Sequence, residues 1–160
     1  MTRILIIGAS GQISQEAIDL YLQNTDFDLT LLARNKSKLP DYDSNRVTVF
    51  EGDATDKNAI SKALENVDTV FVSSTGDTLG DQAKTIIEAM NDNGTKRLIF
   101  VTALNTLHEV PGKFGKWNDE NIGPYLGPFR EATEAIENSD LDYTIFRPAW
   151  LTNYDEIDYE

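Results

Sequence analysis

The 160-residue chain contains no cysteine and a single histidine, and it has few basic side chains. The lack of cysteine excludes disulfide bonds, thiolate catalysis and cysteine-ligated metal, and one histidine, His108, argues against a histidine-based metal site. No metal site is therefore predicted. With 14 basic and 27 acidic side chains the net charge is −13, which disfavours general binding to nucleic acids or anionic membranes. An anionic ligand must therefore be held by local contacts that overcome the negative electrostatic field of the whole chain.

The sequence also lacks long apolar runs. A membrane-spanning helix needs about 20 such residues, and the N-terminus has no charged and then apolar signal pattern. These features predict a cytoplasmic protein. The hydrophobic content of 40% and the length predict one globular domain over residues 1–160.

An aliphatic segment, a glycine turn and an amphipathic run follow one another between Arg3 and Ser14. The segment predicts a buried strand, the turn falls at Gly8, and a helix is expected to begin at Gly11 or Gln12. A helix N-terminus attracts anions through its free N–H groups and its dipole, and glycine lets a pyrophosphate approach the backbone. The pattern is G-x-x-G-x-x-S and not G-x-G-x-x-G, and an ordinary tight turn is the alternative.

Further apolar segments alternate with helical patterns along the rest of the chain. The predicted strands after the first are residues 27–33, 46–50, 67–73, 96–102 and 141–146. Helical patterns lie near residues 13–22, 60–64, 79–91 and 128–138, residues 103–123 are predicted to be irregular, and residues 153–160 are acidic and unassigned. This alternation predicts a three-layer, doubly wound α/β Rossmann fold with a mostly parallel six-stranded sheet.

In such a fold a dinucleotide lies across the carboxyl ends of the strands, so the residues that follow each strand are the candidates. Arg34 follows the second strand, with Lys36 and Lys38 close behind and no acid between Thr30 and Leu39. An acid in this place binds the ribose of NAD, whereas an arginine accommodates the 2′-phosphate of NADP. The cluster predicts NADP, and a solvated basic patch is the alternative.

The ends of the other strands give weaker indications. Asp53, after the third strand, is able either to accept a hydrogen bond from the adenine amino group or to cap the next helix, and both readings stay open. Small residues after the fourth strand leave room for ribose and nicotinamide, although any sheet edge tolerates them. The candidate cofactor-binding residues are Gly8, Ser10, Gly11, Gln12, Ile13, Arg34, Lys36, Asp53, Ala54, Ser74, Gly76, Thr102 and Pro148.

Several motifs in order carry a family resemblance: GASGQI at 8–13, LAR at 32–34, GDATD at 52–56, RLIFVT at 97–102 and LDYTIFRP at 141–148. Together they resemble the atypical short-chain dehydrogenase/reductase family. The branch is that of single-domain NAD(P)H-binding proteins like flavin reductase/biliverdin reductase B and the regulators related to the nitrogen-metabolite-repression protein. The resemblance covers essentially the whole chain. It implies a Rossmann fold, a preference for NADP, and Asp53 near the adenine.

The chain departs from the family pattern in three respects. Ser14 stands where the motif has its third glycine, so a slight displacement of the helix from the strand is expected. The Tyr-x-x-x-Lys pair of the wider superfamily is absent, because Tyr125 is followed four residues later by Phe129, which cannot lower a phenol pKa as lysine does. Related members end with another strand and helix, so the chain is expected to be truncated or to lack its C-terminal substrate-side cover.

The first functional hypothesis is an NADPH-dependent reductase that transfers a hydride to a small conjugated or carbonyl acceptor. Tyr125 and Thr102 are its candidate catalytic residues. Solvent is the alternative proton donor, and capping of the strand end is the alternative role of Thr102. Residues 103–127 are interpreted as a substrate lid or as a surface loop with a packed tryptophan, and His108 is interpreted as structural in preference to catalytic.

A second hypothesis is a non-enzymatic NADP(H)-binding redox sensor that acts through a protein partner. It is motivated by the missing catalytic pair and by the acidic surface. A sugar-nucleotide epimerase is disfavoured, because the chain is too short for that substrate domain and lacks the tyrosine–lysine pair.

Overall fold

The structure, a computed structural model, describes residues 2–42 and 45–154. Its strands are β1 (Arg3–Ile7), β2 (Asp28–Ala33), β3 (Val47–Glu51), β4 (Thr69–Val72), β5 (Arg97–Val101) and β6 (Asp142–Phe146). Its helices are α1 (Gln12–Asn24), α2 (Lys57–Ala63), α3 (Leu79–Asn93), α4 (Gly112–Ile122) and α5 (Gly127–Glu137), with 3-10 turns at Lys36–Lys38 and Gly123–Tyr125.

The six strands form one sheet in the order β3-β2-β1-β4-β5-β6, and every neighbouring pair is parallel. This is the strand order of the Rossmann fold. The predicted fold class is therefore confirmed. All strands end at the same edge, and the loops that follow them meet there.

Helices cover both faces of the sheet. Alternate residues of the central strands point to opposite faces, and both sets are apolar, as parallel strands require when they are buried on both sides. On one face Leu5, Val70 and Phe100 pack with residues of α2, α3 and α5, and on the other Ile4 and Ile6 pack with residues of α1. The sheet is thus held in three layers.

The prediction that residues 103–123 are irregular is wrong, because α4 occupies residues 112–122. Gly115 of this helix lies directly against the carbonyl of Val110, where a Cβ atom would clash. The side chain of Asn105 fixes the preceding loop, since its Oδ1 accepts from the Val110 N–H at 3.0 Å and its Nδ2 donates to Asp119 Oδ1 at 2.7 Å. Gly115, which in the sequence indicates an irregular segment, instead allows the helix to pack closely against Val110.

None of the helices in the described ranges is long and apolar enough to cross a bilayer. The same ranges contain no group of three or more acidic or histidine side chains that could hold a metal ion.

Candidate functional site

A cavity lies at the carboxyl edge of the sheet, where β1 to β4 end. Seven of the residues predicted to bind the cofactor line it: Gly8, Ser10, Gly11, Arg34, Asp53, Ala54 and Ser74. The fold brings these residues together from separate loops because parallel strands deliver all of their following loops to one edge.

The glycine turn after β1 forms the floor of the cavity. Gly8 has a φ of +77°, and a Cβ atom there would lie 2.7 Å from Ser74 Oγ and would clash with the Ser73 carbonyl. Its N–H donates to the Leu32 carbonyl at 3.2 Å, and its own carbonyl accepts from the Gly11 N–H at 2.9 Å. Only glycine fits this position. The turn leaves a backbone surface that a ligand can approach closely.

Helix α1 begins directly after this turn. Gly11 is its N-cap, and no side chain among the described residues caps the helix or places an acid in its first turn. The first N–H groups and the positive end of the helix dipole therefore remain available at the cavity. This is the arrangement that binds a pyrophosphate in Rossmann proteins, so the residues present fit a dinucleotide.

Arg34 and Asp53 stand at the ends of β2 and β3, and both line the cavity. Asp53 Oδ1 accepts hydrogen bonds from the Thr55 hydroxyl at 2.7 Å and from the Thr55 N–H at 2.8 Å. These bonds, together with the smaller effect of the Arg34 charge, hold the pKa of Asp53 below its ordinary value. Helix α2 is capped by Asp56 and not by Asp53. The capping role considered for Asp53 is therefore taken by Asp56, and Asp53 lines the cavity wall.

Seven further residues line the cavity without having been predicted: Ile7, Leu32, Ala33, Gly52, Ser73, Thr75 and Gln82. Six of them lie within two positions of a predicted residue, and only Gln82 comes from an element that sequence reasoning did not consider for the site. Gln82 projects from the buried side of α3 and lines the cavity, and its Nε2 donates to Thr78 Oγ1 at 3.0 Å. The signal was a polar residue on a helix face that otherwise carries Ala83 and Ile86.

Six of the predicted residues do not line the cavity: Gln12, Ile13, Lys36, Gly76, Thr102 and Pro148. Lys36 lines a second, more open groove together with Leu39 and Tyr42. The buried Thr102 hydroxyl donates to the Phe146 carbonyl at 3.2 Å, so it caps the end of the strand. That contact is the alternative considered for Thr102 in the sequence.

Tyr125 lies in the 3-10 turn before α5, and its side chain is 72% exposed. Arg130 is the next cation along the chain, but its Nε donates to the Thr106 carbonyl at 2.8 Å and its Nη2 lies 3.2 Å from His108 Nε2. The other ring nitrogen of His108 lies 3.5 Å from Asp119 Oδ1. Both nitrogens of His108 are thus engaged in holding this loop.

The segment 147–154 runs back across the carboxyl edge of the sheet. The Pro148 carbonyl accepts from the Leu104 N–H at 3.1 Å, and Trp150 Nε1 donates to Asn118 Oδ1 at 3.3 Å. Further along, Asn153 Oδ1 accepts from Gln12 Nε2 at the start of α1. The segment therefore links the end of β6 to the helix that opens at the cavity. The rest of the acidic stretch, residues 155–160, lies outside the described residues.

The fold and the cavity define a Rossmann protein built to hold a dinucleotide. A family model of NAD(P)H-binding proteins matches residues 8–160. The chain belongs to this NAD(P)H-binding family, and the resemblance to atypical short-chain dehydrogenase/reductases is confirmed.

Three relatives illustrate the family. A short-chain dehydrogenase/reductase from Veillonella parvula, solved in complex with NADP, is 32% identical with a TM-score of 0.90 over 97% of this chain and 72% of that chain. The uncharacterized sugar epimerase YhfK of Bacillus subtilis is 30% identical over 94% of this chain and 73% of its own length. Quinone oxidoreductase 2 of Escherichia coli is 26% identical over 94% of this chain and 50% of its length.

Proposed function

We propose that the protein is an NADPH-dependent oxidoreductase that transfers a hydride to a small conjugated or carbonyl acceptor. The observation that carries this proposal is the presence of the glycine turn and Arg34 in one cavity. We further propose that residues 1–160 act as a single NAD(P)-binding domain in the cytoplasm. The net charge of −13 disfavours nucleic acid as a substrate.

The residues of the cavity divide between the parts of the cofactor. The backbone of the Gly8 turn and the N-terminus of α1 take the pyrophosphate, and Ser74 lies where the ribose would be. Asp53 is available to accept from the adenine amino group, since its carboxylate does not cap a helix. Gln12 and Ile13 contribute N–H groups of the first helical turn, which supports their assignment although they do not line the cavity floor.

Arg34 supports NADP over NAD. A guanidinium at the end of β2 suits bidentate contact with the 2′-phosphate. The N–H of Lys36 donates to Glu51 Oε2 at 3.0 Å, and Lys36 lines the second groove. Its role is to add positive potential near the phosphate, since Lys36 stands two positions after Arg34 in the chain.

When bound, NADPH supplies the hydride, and the reduced acceptor needs one further proton to complete the addition of two electrons and two protons. The residues of the chain position NADPH and the acceptor for this step and shield them from bulk solvent. Tyr125 is exposed, and Phe129 stands four residues after it where the superfamily has a lysine, so we propose that water donates the proton. A conjugated acceptor spreads the charge that hydride transfer creates, and therefore needs little general acid.

Steady-state oxidation of NADPH, followed at 340 nm with quinones, flavins and small carbonyl compounds, tests the proposal. We expect turnover with at least one conjugated acceptor and a lower KM for NADPH than for NADH. Background rates with every acceptor, while NADPH still binds, would contradict the reductase. The Tyr125→Phe variant should keep kcat within about threefold, whereas a phenol that donates the proton would lower it by roughly 100-fold or more.

A second candidate function is an NADP(H) sensor without turnover. It is favoured by the engagement of Arg130 with Thr106 and His108, which leaves no cation from α5 for Tyr125. NADP⁺ and NADPH binding without oxidation, together with a protein partner that binds only one redox form, would support the sensor against the reductase.

A further inference from the structure

An exposed aromatic cluster lies on α4 and on the segment that follows β6. The rings of Phe114 and Trp117 stack with centroids 5.7 Å apart and planes at 18°. Trp150 packs against Trp117 with centroids 5.7 Å apart and planes at 53°. The three residues, named here the aromatic platform, are 48%, 46% and 55% exposed. Aromatic faces that solvent reaches can stack on a planar ligand.

A buried amide with an unused donor lies against the platform. Asn118 is fully buried, and its Oδ1 accepts from Trp150 Nε1 at 3.3 Å. Its Nδ2 has no hydrogen-bond partner among the described residues. An unpaired buried donor is costly, and native proteins rarely retain one without a reason. A ligand oxygen that accepts from Nδ2 would remove this cost.

The aromatic platform belongs to the edge of the sheet where the cofactor cavity lies. Asn153 contacts Gln12, the first residue of α1, and Trp150 precedes Asn153 by three positions. Three residues of chain span at most about 11 Å. The platform therefore borders the edge across which a dinucleotide would extend from the glycine turn.

The charges beside the aromatic platform complement an anion. Lys113 and Lys116 immediately precede the two helical aromatic residues on α4, in a chain whose net charge is −13. Lys116 lies 4.0 Å from Glu120, whereas Lys113 has no ion pair with any other described residue. An acidic substituent on a planar ligand would find its counter-charge here.

We propose that the aromatic platform and Asn118 bind the acceptor substrate, a planar conjugated molecule that carries a ring carbonyl and an anionic substituent. The ring stacks on the platform, the carbonyl accepts from Asn118 Nδ2, and the anionic group lies near Lys113. This assignment rests on the proposed reductase function, because it names the acceptor of that reaction.

The chain contains two tryptophans, and both belong to the aromatic platform, so intrinsic fluorescence reports on it directly. Anthraquinone-2-sulfonate is the probe, and the uncharged 2-hydroxymethylanthraquinone is its control. We expect saturable quenching by both compounds, with tighter binding of the sulfonate. Lys113→Gln should reduce this difference, and calorimetric titration should give the same dissociation constants.

Variants separate the contacts. Trp150→Leu and Asn118→Asp, which keeps the shape of the side chain but removes the Nδ2 donor, should each raise the calorimetric Kd of the uncharged 2-hydroxymethylanthraquinone about tenfold, a loss of about 1.4 kcal/mol. Tyr143→Leu, at an exposed aromatic residue on β6, should leave the Kd unchanged. The Kd for NADPH should change by less than about twofold in all three variants, so that the substitutions raise only the KM for the acceptor.

Absence of saturable quenching, or an unchanged Kd in both variants, would overturn the proposal. So would sedimentation of the wild-type chain as a dimer that Trp150→Leu dissociates, because the platform would then be an interface between copies. Failure of the reductase function is distinguishable, since the probe would bind at the platform without NADPH oxidation. Conversely, NADPH oxidation with acceptor KM values that the variants leave unchanged would support the reductase function. It would refute the role of the aromatic platform in binding the acceptor.

Discussion

Replacing Arg34 with alanine removes the guanidinium from the cavity wall, and we expect it to weaken NADPH binding while sparing NADH. A hydrogen bond to a charged group contributes about 1.5–3 kcal/mol, and the lower part of this range applies because Arg34 is exposed. A loss of about 1.5–2 kcal/mol corresponds to a Kd for NADPH raised roughly 10- to 30-fold. The Kd for NADH should change by less than about twofold, since its 2′-hydroxyl carries no charge.

The carboxylate of Asp53, which lies near Arg34, allows a second test of this prediction. The Arg34 charge is the smallest of the causes that lower the pKa of Asp53, so the two side chains are near enough to interact, and without Arg34 the Asp53 carboxylate would repel a phosphate bound at this edge. The Arg34→Ala/Asp53→Asn double variant should therefore recover part of the lost affinity. Arg34→Asp should discriminate against NADPH more strongly than Arg34→Ala.

Titrations of both cofactors, followed by the fluorescence of the reduced nicotinamide, measure these effects at low and at physiological salt. Lys62→Ala, which removes a positive charge from the exposed end of α2, is the matched control and should leave both Kd values unchanged. Equal losses for NADPH and NADH, or no loss at all, would refute the assignment of Arg34 to the 2′-phosphate.

Three further substitutions test the framework of the site. Gly8→Ala should lower the free energy of unfolding by at least about 2 kcal/mol in urea titrations, because φ is +77° and the new methyl group meets the Ser73 carbonyl. Ser14→Ala should raise it by about 1–2 kcal/mol, since the buried Ser14 hydroxyl has no partner among the described residues. Asp53→Asn should reduce the acid sensitivity of stability below pH of about 4.

The controls differ for each substitution. Ser61→Ala, on the exposed face of α2, measures the effect of helix propensity alone. An equal gain in the free energy of unfolding from Ser61→Ala would mean that burial of the Ser14 hydroxyl does not destabilise the fold. For Asp53 the sign follows from its lowered pKa. The folded state binds fewer protons, so the stabilisation is complete above the unfolded pKa and is lost as pH falls through the folded one. Identical pH profiles for Asp53→Asn and wild type would contradict this effect.

The sheet and the cofactor side of the cavity were predictable because their signals are local. An apolar run, a glycine turn and the residues directly after each strand suffice to place Gly8, Arg34 and Asp53 at one edge once the strands are parallel. The identity of the acid that caps α2 needed the structure, because Asp53 and Asp56 both precede α2 and only the observed hydrogen bonds show that Asp56 caps it.

The region of α4 and of the segment 147–154 was harder to predict because it depends on distant contacts. Helix α4 is fixed by the bond between Asn105 and Asp119, and its Gly115 packs on a residue outside the helix. The return of the segment 147–154 depends on the contact between Asn153 and Gln12, which are 141 positions apart. No periodicity or local propensity encodes such pairings.

The central claim is that NADPH binds at the glycine turn with its 2′-phosphate at Arg34. A titration of the ¹⁵N-labelled protein with NADPH, followed by the backbone amide resonances, tests this claim most directly. We expect the largest shifts on the amides of Ser10, Gln12, Ile13 and Arg34, and NADH should reproduce the first three but not the fourth. Shifts confined to other surfaces, or a response at Arg34 that is the same for both cofactors, would contradict it.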